Sequence, residues 1–210
     1  MVSIIDYGAG NIGSILNMFK KLGCDAKLVS TSQEILESTK LVLPGVGHFD
    51  FGMNTLNNSG MIPALHQVVL ENKVPILGIC LGAQLMAETS DEGIIPGLGW
   101  FKAKVKNFRT DLSQSDHYGK QTLRVPHMGW NHIEVKKETP LTNGLDSNSR
   151  FYFVHSYYIQ SENETDVMFK TDYGLQFDSG LNRDNIYAVQ FHPEKSHKFG
   201  LRLLENFMHI

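Results

Sequence analysis

The chain has 210 residues, 41% of them apolar and 20% charged, with a formal net charge of -3. That length fits one domain spanning residues 1–210, and a composition near the globular average excludes disordered and fibrous classes. The weak acidity gives no electrostatic basis for binding nucleic acid or an anionic membrane, and no apolar run approaches the ~20 residues that span a bilayer.

Met1-Val2-Ser3-Ile4-Ile5 runs straight into Asp6 without a basic leader, so it reads as a first strand and not as a signal peptide. Further apolar runs at residues 26–29, 40–43 and 74–79 predict buried strands. Between them, Ile12, Ile15, Leu16 and Phe19 follow helical spacing up to a stop at Gly23. Residues 34–38 and 62–71 predict two more helices, the second with Pro63 in its first turn. Strands alternating with helices imply an α/β fold with a doubly wound, mostly parallel sheet.

From Gly99 onward the pattern becomes short and β-like, at residues 100–108, 130–135, 151–158 and 165–170. These runs predict additional antiparallel strands in the second half. The polar stretch 109–122 reads as a surface loop, and a last strand at 186–191 precedes a helix at 198–208. There are two cysteines, Cys24 and Cys80, which is no disulfide scaffold and suits the reducing cytoplasm.

Gly78-Ile79-Cys80-Leu81-Gly82 follows an apolar strand and opens a helical stretch at 84–89. A nucleophile framed by glycines at a strand-to-helix junction is the elbow pattern, with Cys in place of Ser. The glycines suit a turn in which a Cβ on either side would clash. The helix N-terminus favours thiolate, and the Leu81 N–H points where an oxyanion would form. The bland reading of Cys80 alone is a buried, inert thiol. Cys24 has no such frame.

A cysteine nucleophile needs a histidine that the fold brings near. Among nine histidines, His192 directly follows the last strand, in Gln190-Phe191-His192-Pro193-Glu194-Lys195-Ser196. Active sites of open α/β sheets gather at the carboxyl ends of strands, where Cys80 also lies. In extended chain Glu194 shares a side with His192 and can fix its tautomer. His155 is the rival base, in the aromatic strand Phe151-Tyr152-Phe153-Val154-His155-Ser156-Tyr157-Tyr158. His127 and His132 flank Gly129-Trp130-Asn131, and no metal-ligand spacing emerges.

Pro44-Gly45-Val46-Gly47 ends a strand in a flexible turn that could aim a second oxyanion donor, or be an ordinary βα turn. Gly8-Ala9-Gly10-Asn11-Ile12-Gly13 matches a dinucleotide fingerprint. The acid expected at the end of the second strand is missing there, since that strand ends Val29-Ser30-Thr31, and a dinucleotide site is not expected.

Taken together, these motifs resemble the class I, triad-type glutamine amidotransferases. Asp6-Tyr7-Gly8-Ala9-Gly10-Asn11 also matches, and Pro126-His127-Met128-Gly129-Trp130-Asn131 and the 151–158 block resemble, more narrowly, the glutaminase subunits of imidazole glycerol phosphate synthase. The resemblance implies the class I amidotransferase fold and a Cys80–His192–Glu194 triad. It implies oxyanion donors at Leu81 and in Gly45, Val46 and Gly47, and glutamine held by Gln84, Ser156 and Tyr157. Ammonia would pass to a (β/α)₈-barrel cyclase subunit in histidine biosynthesis, docked on Asn11, Trp130, Tyr152 and Lys195, with no cofactor. Ala83, Met86 and Ala87 depart from the family pattern, as does His48-Phe49-Asp50. These departures leave open a paralogous subunit that amidates a surface-polysaccharide sugar. A third reading, from another class, is a catalytically idle binding subunit of this fold.

Overall fold

A buried strand points successive side chains to opposite faces, so a strand that is apolar throughout needs cover on both. The computed structural model, which describes residues 1–113 and 123–210, supplies that cover in the first half of the chain. Strands β1 (Val2–Ile5), β2 (Ala26–Val29), β3 (Leu41–Leu43) and β4 (Ile76–Ile79) alternate with helices α1 (Ile12–Lys21), α2 (Ser32–Leu36), α3 (Phe49–Asn58) and α4 (Ile62–His66). Ile5, Leu41, Leu43 and Ile76 join one core cluster with Phe49, Met53 and Leu65. Their neighbours Ile4, Val42, Leu77 and Ile79 join the other, with Phe19, Leu203 and Phe207. These strands are parallel and lie in the order β2-β1-β3-β4.

The second half contributes α5 (Leu81–Gln84), β5 (Thr89–Ser90), β6 (Ala103–Asn107), α6 (Phe108–Ser113), β7 (His127–His132) and β8 (Glu134–Val135). It ends with β9 (Arg150–His155), β10 (Tyr157–Ser161), β11 (Val167–Asp172), β12 (Gln176–Arg183), β13 (Ile186–Val189) and α7 (His197–Met208). β13 continues the parallel sheet beside β4; β12, β10 and β6 extend it antiparallel, and β5 closes the edge. β11 pairs with β12 and β8, while β7 and β9 form a separate two-stranded ladder. The mixed α/β sheet that the sequence predicts, mostly parallel with antiparallel additions, is the one observed. Among the described residues no helix is long and apolar enough to cross a membrane.

Three local expectations are corrected. The helix expected at 84–89 is instead the short α5, ending at Gln84. The carbonyls of Leu85, Met86, Ala87 and Glu88 bond to the N–H groups of residues 97–101, and this competing backbone pairing stops the helix. The helix expected at 62–71 changes to a π-helical turn at Gln67–Glu71. The loop expected at 109–122 begins as α6, because Phe108 and Leu112 bury into the core; residues 114–122 lie outside the described residues.

Sheet order is what positions the site. β4 lies between β3 and β13, with Leu43 opposite Gly78 and Val189 opposite Ile79. The segments leaving their carboxyl ends, 44–47, Cys80 and 190–194, therefore emerge side by side. Gly82 allows α5 to sit directly on the end of β3: a Cβ there would lie 1.9 Å from Leu43 O. That oxygen belongs to a sheet strand and cannot retreat, so Gly82→Ala is expected to cost about 3 kcal/mol, at the upper end for over-packing. Urea unfolding of the variant measures this; a loss under 1 kcal/mol would contradict the close approach.

Candidate active site

A side chain that must stand clear of a sheet needs a sharp turn beneath it. Cys80 follows β4 with φ 54° and ψ -111°, a left-handed conformation that costs a non-glycine residue about 1–3 kcal/mol. Its flanking glycines are required by contact. A Cβ on Gly78 would fall 2.7 Å from Met86 and 2.9 Å from the Ala83 backbone, and Gly82 has no room beside Leu43. The elbow read from the sequence is thus present, with the thiol at the first turn of α5.

His192 follows β13 and is buried at 2% exposure. Its backbone N–H donates to Tyr152 O at 2.9 Å, tying the end of the central sheet to β9. Glu194 reaches it through a 3-10 turn at Pro193–Lys195, and not through the extended chain that the sequence suggests. His192 Nδ1 lies 2.8 Å from Glu194 Oε1, so that nitrogen carries the proton and Nε2 is left for Cys80. Nε2 and Glu194 Oε2 are buried and without a hydrogen-bond partner. Burial alone would lower the imidazole pKa, but the nearby Cys80 sulfur and the Glu194 carboxylate outweigh it and push His192 up to about 10.

The rival histidine is occupied elsewhere. Tyr157 O accepts from His155 Nδ1 at 2.7 Å, which leaves His155 Nε2 bare to accept from His127 Nδ1 at 3.0 Å. His127 Nε2 in turn faces Asn131 Nδ2 at 3.3 Å. Burial holds both rings neutral, His155 down at about 3 and His127 at about 4. His155, with both nitrogens engaged, cannot act as a base.

A cavity of about 450 Å³ opens over Cys80 and His192, lined also by Val46, Gly47, Leu81, Gln84, His155, Ser156, Tyr157 and Lys195. Of the expected oxyanion segment, Val46 and Gly47 line the cavity, while Gly45 packs against Gly82 N and the Tyr7 hydroxyl. Tyr7 Oη donates to Pro44 O at 2.9 Å, so the planar Pro44–Gly45 peptide turns its N–H away from Tyr7. Gln84 lines the cavity as expected, but its Nε2 is spent on Tyr157 O and Gln190 Oε1. It offers only Oε1. Ser156 O and Tyr157 O already accept from Phe108 N and from His155 and Gln84, so these carbonyls are partly engaged.

Glu92 is a cavity residue that the sequence did not signal. It accepts from Phe49 N at 2.8 Å, capping the helix that follows the 44–47 turn, and no motif marks it. Lys195, Tyr152 and Trp130 form one exposed patch: the Lys195 ammonium lies 5.7 Å from the Tyr152 ring, which meets Trp130 edge-on. Trp130 is 42% exposed and Met128, unremarked in the sequence, 61%. Asn11 stands just before α1, its side chain accepting from Ser14 Oγ at 3.0 Å without capping the helix, and α1 packs against the 193–195 turn. Gly10, within the dinucleotide-like motif, packs on Pro44, and Glu34, in the first turn of α2 beyond β2, is consumed by a capping box with Thr31. Among the described residues, no group of three or more His, Cys, Asp or Glu side chains could hold a metal.

The chain is similar to known proteins over nearly its whole length. The family described as glutamine amidotransferase class-I matches residues 3–210. The imidazole glycerol phosphate synthase subunit HisH 2 of Methanococcus maripaludis is 48% identical over 99% of this chain and 98% of its own. The subunit of the same name from Pseudomonas aeruginosa is 43% identical over the full length of both. The fold matches the structure of PurLQS from Thermotoga maritima with a TM-score of 0.73 at 15% identity, over 99% of this chain and 97% of that one.

Two measurements probe the site's energetics. Because glycine accepts the backbone at position 80 without strain, Cys80→Gly should be more stable than Cys80→Ala by about 1 kcal/mol, the reverse of the usual order. Equal stabilities in urea would deny the strain. The unfolded chain protonates His127 and His155 near 6.5, above their folded values of about 4 and 3. Their contribution to stability is therefore full above pH 6.5 and falls as the pH drops toward those values, by up to about 1.4 kcal/mol per pH unit per histidine. Unfolding free energies measured from pH 7 to 4 should show this decline, and His127→Asn should flatten it.

Proposed function

The chain belongs to the class-I glutamine amidotransferase family, and from that premise we propose that it hydrolyses glutamine to glutamate and ammonia with Cys80, His192 and Glu194. The supporting observation is the placement of Cys80 and the His192–Glu194 pair at adjacent strand ends over one cavity. In this reading residues 1–210 act as one glutaminase domain.

Cys80 gives its thiol proton to His192 Nε2, the sulfur pair forms a bond to the side-chain amide carbon, and the carbonyl π pair moves onto the amide oxygen. Leu81 N–H and an N–H of the Gly45, Val46 and Gly47 turn hold that oxyanion; one such donor is worth roughly 3–4 kcal/mol. The carbonyl re-forms and the C–N bond breaks as the departing amide nitrogen takes a proton from imidazolium His192 and leaves as ammonia, and a thioester remains. Water, deprotonated by His192, attacks the thioester, and glutamate leaves as the C–S bond breaks. Glu194 holds the ring in one tautomer and balances its charge. Gln84 Oε1 accepts from the substrate's amide or ammonium, Glu92 offers the cavity a carboxylate for that ammonium, and backbone of Ser156 and Tyr157 completes the wall.

Ammonia released into water is protonated and lost as a nucleophile. A partner cyclase subunit with a (β/α)₈ barrel therefore docks over the cavity on Trp130, Tyr152, Lys195 and Asn11, takes the ammonia and makes imidazole glycerol phosphate in histidine biosynthesis. The relatives named as subunits of that synthase support this acceptor. A second reading gives the ammonia to a surface-polysaccharide sugar through a different partner; the number 2 in both relatives' names motivates keeping it.

Co-expressed with its partner, the chain should release glutamate from glutamine. Cys80→Ala should reduce that release by at least about 10⁴-fold while the complex still co-elutes. Undiminished turnover in the variant would end the proposal. Rescue of a histidine auxotroph lacking its own subunit separates the two acceptors.

A further inference from the structure

A carbonyl oxygen only accepts hydrogen bonds, whereas a primary amide donates from one end and accepts at the other. This asymmetry gives a direction to a buried chain behind Cys80 that the steps above leave unused. Tyr157 O receives Gln84 Nε2 at 3.1 Å, so the Gln84 atom facing it must be nitrogen. The second hydrogen of that nitrogen goes to Gln190 Oε1 at 3.0 Å. Gln190 is fully buried, and with its oxygen committed it turns Nε2 toward Cys80 Sγ, 3.9 Å away. The opposite order would set two carbonyl oxygens against each other at the first link. His155 reinforces the start of the chain by donating to the same Tyr157 oxygen at 2.7 Å.

From this arrangement we infer that Gln190 is a positioning residue of the reaction: its carboxamide, locked in one orientation by the Tyr157 carbonyl through Gln84, presents an N–H to the Cys80 sulfur. The inference rests on the glutaminase reading, in which that sulfur carries negative charge before attack and again when the thioester breaks. A donor aimed at sulfur stabilises the charged form over the neutral one. The lock matters because a free amide would spend part of its time with oxygen toward the sulfur, which repels that charge. Gln190 immediately follows β13 and His192 lies two residues on, so one strand end carries both the donor and the base.

The test reads the sulfur directly. Full-length protein is alkylated with iodoacetamide between pH 5 and 10, and modification of the Cys80 peptide is followed by mass spectrometry. The ionisable groups around the cavity are His192 with Glu194, Tyr7, His155, Tyr157, Glu92 and Lys195, and the substitutions replace none of them. Gln190→Met keeps length and removes the donor; the pH of half-maximal alkylation should rise by about one unit, the loss of one hydrogen bond to a charged acceptor. Gln84→Met, whose side chain is not bonded to the sulfur, should shift it the same way by less, because Gln190 is then free to flip. A packing role alone would lower the melting temperature and leave both midpoints in place, and that result in a folded Gln190→Met protein would overturn the inference. If Gln190→Met does not fold, the Gln84→Met midpoint decides. The glutaminase reading fails by a separate sign: no labelling of wild-type Cys80 by a glutamine-analogue electrophile.

Discussion

Gly82 rests against the carbonyl of Leu43, and the site depends on that contact. With no side chain at 82, α5 starts directly on the end of β3, where any Cβ would meet Leu43 O at 1.9 Å. The chain between β4 and α5 has only Cys80 in which to reverse, so that residue takes up a positive φ. The same approach brings Gly45 against Gly82 N and the Tyr7 hydroxyl, whose bond to Pro44 O sets the plane of the next peptide. Sulfur, the 44–47 turn and helix start are thus one packed object. Its local strain, about 1–3 kcal/mol, is borne by the apolar clusters on the two faces of the sheet.

Burial assigns opposite tasks to the histidines of the site. Desolvation disfavours charge on all of them, yet His192 is raised while His155 and His127 are lowered. The difference lies in their partners. His192 faces a carboxylate and a cysteine sulfur, both able to stabilise a positive ring. His155 faces a carbonyl oxygen and another imidazole, which satisfy a neutral ring and leave it no spare nitrogen. Position near the cavity does not separate these residues, since both His155 and His192 line it. Hydrogen-bond direction does.

Much of this was legible in the sequence because local rules carried it. The elbow glycines, the strand ahead of His192 and the helical spacing of Ile12, Ile15 and Phe19 are short-range patterns. α3 was not read, although Phe49, Met53 and Leu56 keep helical spacing, because Gly52 and the asparagines dilute the signal. β12 was hidden for a different reason. It is central, yet its buried residues include Asp178, Ser179 and Asn182, which no apolar pattern reveals. Asp178 bonds Ser161 N, Ser179 bonds Thr171, and Asn182 bonds the turn into β13. Polar residues survive there only because tertiary partners satisfy them, and a sequence does not show partners. Glu92 and Gln190 escaped notice likewise.

The β7–β9 ladder joins two features that sequence treats separately. Its register pairs His127 with His155 and Trp130 with Tyr152. The first pair is buried and leads through Tyr157 O to Gln84; the second meets edge-on beside the cavity rim, under Lys195. A slip of one residue would exchange the faces of β7, exposing His127 and burying Trp130. The slip would therefore bury Trp130 and break the hydrogen-bond chain at the same time. His132 and Arg150 close that register at the far end, and Tyr152 O fixes it to His192 N. The ladder's alignment and the position of His192 are consequently a single constraint, imposed by backbone bonds and independent of any bound partner.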